Sequence, residues 1–348
     1  MKLRVIFLCF LFLCGCSDSF EADRARPSEN SAQSPDPTPA PNPAPEDPGL
    51  KICSKLDFSN IRWPQNMSED FQNSFALALN ITSSFEGPQS WSTLAGDSDG
   101  QGISLGLLQQ NLGSNTLQPL LSQMKTSAPN RMKSFFAESR WLSLKNMIEE
   151  WERLSLKSFS TSESDLLFAQ ESDTISLFDT DSFAFKATNS NAVQKSLSWA
   201  RSTALNGKKV RPEWQVELQK MASSSEYKNL QFLESLTLHN KTERYRQYFE
   251  FGTLEAYLFL FDIVVQNGGF KKSHQDQYQQ KIRENPRLTE PERLQTLLKI
   301  RLESVRPQYR NDVLSRKNTI LTGRGVVHGS QRNLPKEYCY QSQVVLWP

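Results

Sequence analysis

Histidine and cysteine are scarce in this chain, with three histidines and five cysteines among 348 residues. No Cys/His cluster stands at ligand spacing, so neither a metal site nor a cofactor is expected. An excess of one charge is also lacking: 40 basic against 38 acidic residues leave a formal net charge of +2. The basic residues are scattered rather than gathered on one face, which gives no argument for a nucleic-acid surface. Beyond residue 13 no segment reaches the ~20 apolar residues that a spanning helix needs. No internal repeat is visible. With a hydrophobic fraction of 37%, the chain has the material for one large domain or two smaller ones.

What is present starts at the N-terminus. Lys2 and Arg4 precede the apolar run 5–13, and Cys14-Gly15-Cys16 follows it, the order of a secretory signal peptide. Leu13-Cys14-Gly15-Cys16 resembles a bacterial lipobox. That resemblance implies lipidation of Cys16 after cleavage and a membrane anchor through the lipid; an ordinary signal peptide with a chance cysteine is the alternative. Ser17, by its resemblance to enterobacterial sorting signals, implies an outer-membrane lipoprotein facing the periplasm. Residues 17–49 are polar, with Pro35, Pro37, Pro39, Pro41, Pro43 and Pro45 at alternate positions. Proline fixes φ and removes a donor, so this stretch reads as an extended tether. The expected organisation is a signal peptide over 1–15, a lipidated cysteine and tether over 16–50, and a folded domain over 51–348. Cys53 and Cys339 then stand at the edges of that domain in an oxidising compartment, and a disulfide between them is expected over two buried thiols.

Within the domain, Phe71, Phe75, Ala78, Leu79 and Phe85 recur at helical spacing. Asn66 or Ser68 can cap the start, and Glu69 and Asp70 suit the positive end of the dipole. Gly87-Pro88 must end this helix, leaving Glu86 on its last turn beside Phe85. Partial burial and the negative helix end both disfavour a charged carboxyl there, which is what a general acid requires; the alternative is a solvated glutamate. Two short runs, 91–95 and 103–108, read as strands of a hairpin or small sheet around Gly96-Asp97-Ser98-Asp99-Gly100-Gln101-Gly102. The turn presents Asp97 and Asp99 towards the helix end. A calcium loop would want glutamate at the twelfth position from Asp97, where Leu108 stands.

A helix ending in Phe85-Glu86-Gly87, a glycine-rich turn and Gly106-Leu107-Leu108-Gln109 together resemble the lysozyme-like superfamily, with its lytic transglycosylases and goose-type lysozymes. Asp99-Gly100-Gln101-Gly102-Ile103-Ser104 looks more specifically like the Asp-Gly-Arg-Gly-Tyr-Thr segment of family 46 chitosanases, and Phe261, Asp262, Gln266 and Gly268 resemble a segment of their second lobe. The resemblance implies Glu86 as general acid, Asp99 as general base and Ser104 as the hydroxyl that orients water, with inversion at the anomeric carbon. Asp97 is the alternative base and, with Gln109 and Asn111, a candidate substrate contact. The two amides suit sugar hydroxyls or, equally, a structural role before the next helix.

Downstream, 117–123, 131–156 and 191–205 read as helices, with Trp141, Trp151 and Trp199 on core spacings. The run 161–185 is acidic, either a solvated insertion or a cleft wall for a cationic glycan. Residues 251–266 read as a central buried helix capped by Gly268, in which Asp262 needs a polar partner such as Arg244, Arg310 or Arg316. A helix is expected over 291–306, and the stretch 312–321 leads into a glycine-rich loop over 322–329, expected to close over the cleft, with His328 on its surface. The fold expected is mainly α, lysozyme-like, with two helical lobes around a cleft and a small β-hairpin or sheet. The resemblance implies a monomeric, envelope-anchored glycoside hydrolase acting on β-1,4 bonds of peptidoglycan or a related amino-sugar polymer, with a preference for de-N-acetylated, chitosan-like glycan. The alternatives are a non-catalytic peptidoglycan-binding lipoprotein and a lytic transglycosylase using Glu86 alone.

Overall fold

The structure is a computed structural model that describes residues 51–87, 90–165 and 190–341. The signal peptide, the lipidated Cys16, the tether and the acidic side chains of 163–181 lie outside the described residues. Helix α1 (Glu69–Glu86) begins where the Ser68 side chain accepts from Phe71 N, with Glu69 and Asp70 in its first turn, and stops at Gly87, whose φ of 142° suits glycine. From Ser74 to Ser83 every residue is buried, so this is a core helix rather than an amphipathic surface one. Strands β1 (Leu94–Ala95), β2 (Ser104–Leu105) and β3 (Gln110–Asn111) follow as an antiparallel sheet in that order. The sequence expectation of two strands is thereby corrected to three.

Helices α2 (Leu117–Ser127), α3 (Pro129–Lys133) and α4 (Glu138–Asp165) come next. One continuous helix over 131–156 was expected. It is broken instead at 134–137, where Phe136 turns inward onto Trp214, 6.1 Å between ring centres. Helix α5 (Ser190–Trp199) runs into a π-turn, and the hairpin β4 (Leu205–Asn206) and β5 (Lys209–Val210) leads to α6 (Pro212–Ala222). Helix α7 (Ser225–Phe249), capped by the Ser224 side chain, precedes α8 (Leu254–Asn267), which is buried from Leu254 to Val264 and closed by Gly268 in the left-handed region. Helices α9 (Lys272–Glu284), α10 (Glu290–Glu303) and α11 (Pro307–Thr322) are followed by an antiparallel hairpin of β6 (Arg324–Val327) and β7 (Ser330–Asn333), then α12 (Leu334–Tyr338). The expected glycine-rich loop over 322–329 is therefore a hairpin. His328 and Gly329 take φ of 50° and 78° at its tip, the left-handed pair that tight hairpin turns need, and His328 pairs with Asp312 at 2.8 Å.

The fold is mainly helical, with two apolar cores. One is built from α1, α8, α10 and α12 together with Leu56, Phe58 and Ile61. The other takes Ile103, Leu105 and Leu112 from the sheet region with α2, the start of α4, α5 and α6. Helix α7 serves both, giving Tyr227 and Leu230 to the second and Phe232, Tyr245 and Phe249 to the first. Trp141 and Trp151 are buried, and Trp199 stands edge-on to Trp214. Cys53 and Cys339 form a disulfide, with Cα atoms 5.2 Å apart.

Candidate functional site

The end of α1, the three-stranded sheet and the end of α8 converge on an open cavity of about 340 Å³. Glu86, Asp99, Ser104, Gln109 and Asn111 line it, joined from α8 by Val265 and Gln266. Glu86 projects from the last turn of α1 with its side chain 28% exposed, and Phe85 beside it is buried under the guanidinium groups of Arg316 and Arg332, 5.0 and 5.1 Å from its ring centre. Asp99 is exposed on the turn between β1 and β2, accepting from Gln101 N at 3.1 Å. Ser104, on the central strand, is buried at the cavity wall.

From its place on the last turn of α1, Glu86 is expected in partly buried, apolar surroundings beside Phe85. Instead, its Oε1 accepts from Arg316 Nη1 at 2.6 Å. Arg316 in turn donates from Nε to both Asp262 oxygens, at 3.0 and 2.9 Å, and from Nη2 at 2.6 Å. Lys317 donates to Asp262 as well and to Gln266 Oε1 at 2.9 Å. Asp262 and Lys317 are fully buried and Arg316 nearly so. Burial pushes the Asp262 carboxyl up, but the two cations against it outweigh that and hold it below the ordinary carboxylate range. Burial pushes the Lys317 ammonium down, with Asp262 opposing. Of the three arginines considered for Asp262, Arg316 is the partner. Arg310 instead donates from Nε to Val305 O, at 3.0 Å. Lys317, and the link from Arg316 on to Glu86, had no local signal: both residues sit on an ordinary-looking polar helix.

Asp97 does not join the cavity lining. Its Oδ2 accepts from Arg201 Nε and its Oδ1 from Gly102 N, each at 2.7 Å, while Arg201 also holds Gly100 O at 3.0 Å. The Arg201 guanidinium keeps its carboxyl below the usual range. Expected as a substrate contact or alternative base, Asp97 is placed by the structure off the cavity lining, where it staples the turn that carries Asp99. Gln109 takes a left-handed φ of 53° and its amide donates to Gly106 O at 3.1 Å, and Asn111 Oδ1 accepts from Ser114 N at 2.7 Å. Both amides brace the loop while facing the cavity. Gly106 is needed because a Cβ there would meet Gln231 Oε1 at 2.3 Å. The buried Gln231 side chain accepts from Leu107 N at 2.7 Å and donates to Trp91 O at 2.9 Å, pinning the sheet to α7.

Among the described residues no group of three or more His, Cys, Asp or Glu could hold a metal ion. No helix of the described residues is long and apolar enough to cross a membrane. One solved structure similar to this chain is described as a chitosanase complex structure. It shares 13% identity over 74% of this chain and 94% of its own, with a TM-score of 0.42. No family model and no curated protein matches the sequence. The arrangement itself offers a proton donor or acceptor at the end of one helix, a second carboxylate on a facing turn, a hydroxyl between elements and amides around them, in a space open to an extended ligand.

Proposed function

We propose that the protein is a glycoside hydrolase that cleaves β-1,4 bonds of peptidoglycan. The observation that carries this is the meeting, in one cavity of about 340 Å³, of Glu86 and Asp99 from separate elements with Ser104 beside them. Two carboxyl groups in unlike surroundings are the machinery of glycosidic hydrolysis. Glu86 in its acid form protonates the leaving oxygen, and Arg316 steadies the carboxylate that this leaves; Asp99, wetter and on the turn, takes the proton of a water that Ser104 orients, and the attack inverts the anomeric carbon. Gln109, Asn111 and Gln266 offer amides to sugar hydroxyls. The lipobox-like Cys16 anchors the chain in the envelope, with the proline-rich tether giving reach to the wall, and the protein acts as a monomer.

The test is mass spectrometry of soluble products from peptidoglycan, native and de-N-acetylated, treated with the protein and with its Glu86→Gln form. Reducing-end fragments from the first protein alone support hydrolysis with Glu86 at its centre, and faster release from the de-N-acetylated wall supports the chitosan-like preference. Anhydro ends, with Asp99→Asn nearly as active, would replace hydrolysis by transglycosylation. No release from either wall would leave a binding lipoprotein.

A further inference from the structure

A second hollow, of about 520 Å³, meets the cavity at Gly96. It lies between the β4–β5 hairpin, the start of α6 and the edge of β1. The hairpin is fixed to the rim of the cavity: Asp97 N donates to Lys208 O at 3.0 Å, and a Cβ on Gly96 would meet that same carbonyl at 2.1 Å. The charged side chains lining the hollow are Lys208, Lys209 and Arg211, with no carboxylate among the lining residues, and the amides of Asn206 and Gln215 accompany them. Lys208 and Lys209 are exposed. Of the carboxylates on the surrounding elements, Asp97 is taken by Arg201 at 2.7 Å and Glu217 by Arg140 at 2.7 Å, while Glu213, in the first turn of α6, is exposed and does not line the hollow. Among the described residues none of the three cations is in an ion pair. Arg211 is steadied by donating from Nε to Leu205 O at 3.0 Å, and the positive end of α6 opens beside it.

We propose that this hollow is a subsite for a carboxylate carried by the glycan, which makes a wall polymer bearing carboxylates the ligand, whether or not its amino groups are acetylated, rather than chitin or chitosan. The inference rests on the cavity being a glycan site. A saccharide lying in the cavity and passing Gly96 brings a substituent against three cations and two amides, groups that match a carboxylate flanked by peptide bonds or hydroxyls. Wall glycan has such carboxylates on its stem peptides or, where a stem has been removed and the amide that carried it is cut, on its lactyl ethers, whereas chitin and chitosan have none. The subsite discriminates by charge, and salt weakens it.

The test is a binding measurement on the full chain carrying Glu86→Gln, with and without Lys208→Gln and Lys209→Gln together, at low and high salt. Three probes are compared: a wall oligosaccharide with stem peptides, the same strand after amidase removal of the peptides, and a chitin oligosaccharide of equal length. The expected result is a loss of roughly 3- to 10-fold for the peptide-bearing strand at low salt, the size two exposed charges provide, with the chitin oligosaccharide unchanged. If the peptide-free strand loses affinity equally, the subsite accepts either carboxylate, the stem peptide's or the lactyl group that amidase frees; if it behaves like chitin, the stem peptide's carboxylate is the group recognised. Equal affinity of both proteins for both anionic probes, or the same loss towards chitin, overturns the subsite. Binding needs no turnover, so failure of the hydrolase reading appears separately, in the product analysis.

Discussion

Asp262→Ala removes the carboxylate that accepts from both Arg316 and Lys317. The wild-type carboxylate is fully buried and accepts from Arg316 Nε and Nη2 and from Lys317. Without it, Arg316 keeps Glu86 and Lys317 keeps the neutral Gln266. Breaking a buried ion pair from one side costs about 3–5 kcal/mol, because a charge is stranded away from water. The upper end has an independent bound: Lys317 can shed its proton, and at pH 7 that costs about 5 kcal/mol, from ~1.4 kcal/mol per unit below a free lysine near 10.4. Urea titration followed by tryptophan fluorescence reads the loss as a shift of the midpoint by about 1 M or more at constant slope. The sign with pH is also set. A lysine whose folded pKa lies below its unfolded one binds more protons unfolded, so stability rises with pH between those two values. Burial already lowers wild-type Lys317 to about 8, and loss of Asp262 lowers it further, so the deficit of Asp262→Ala shrinks as pH rises towards about 8 and is level above it. Lys317→Met added to Asp262→Ala restores half or more of the loss. A loss under about 1 kcal/mol, or no rescue by Lys317→Met, would refute the account.

Further outcomes follow from other parts of the molecule. Burial pushes His239 down to about 4 from an ordinary value of 6.5, so the unfolded chain binds the extra proton between those values and stability falls as pH drops through them. Acid titration of unfolding should show this slope, and His239→Gln should flatten it; an unchanged slope would count against it. Replacing Cys53 and Cys339 with serine opens a loop with a separation of 286 residues, for which chain entropy gives a loss of up to about 5 kcal/mol; calorimetry with and without reductant measures it, and an unchanged melting temperature would contradict it. Gly106→Ala drives a Cβ into Gln231 Oε1 from a residue with φ of 92°. It should destabilise by roughly 2 kcal/mol or more through strain and the broken Gln231 bonds, with protease resistance at the sheet lost first, whereas a neutral result would mean that Gln231 is not the pin.

Elements whose cause is local could be read from the sequence. Helices α1 and α8 announce themselves by apolar spacing, by Ser68 at one start and by Gly268 at one end. Helix α7 did not, although it serves both cores, because Gln231, Ser235, His239 and Thr242 are buried polar residues that interrupt the apolar period. Strand β3 is two polar residues, Gln110 and Asn111, too short for alternation to show. At the cavity, Glu86 and Asp99 stood out by residue type and spacing to glycine. Their surroundings did not, since Arg316 lies 230 positions from Glu86 and Arg201 lies 104 from Asp97. The polar need of Asp262 on an apolar helix was visible from the chain alone; which cations answer it is decided by how α11 packs.

The bond between Glu86 and Arg316 bears on when this cavity is completed as the protein is made. Synthesis delivers Glu86 long before Arg316, and the cysteine that closes onto Cys53 comes later still, 286 positions along. Contacts of such separation form slowly, after the chain has closed its longest loops. A nascent or clipped chain that ends before α11 would hold the glutamate with neither its counter-charge nor the buried carboxylate's partners. The surroundings of Glu86 are therefore complete only with the last tenth of the polypeptide, and an incomplete copy lacks the buried network that fixes this carboxyl in place.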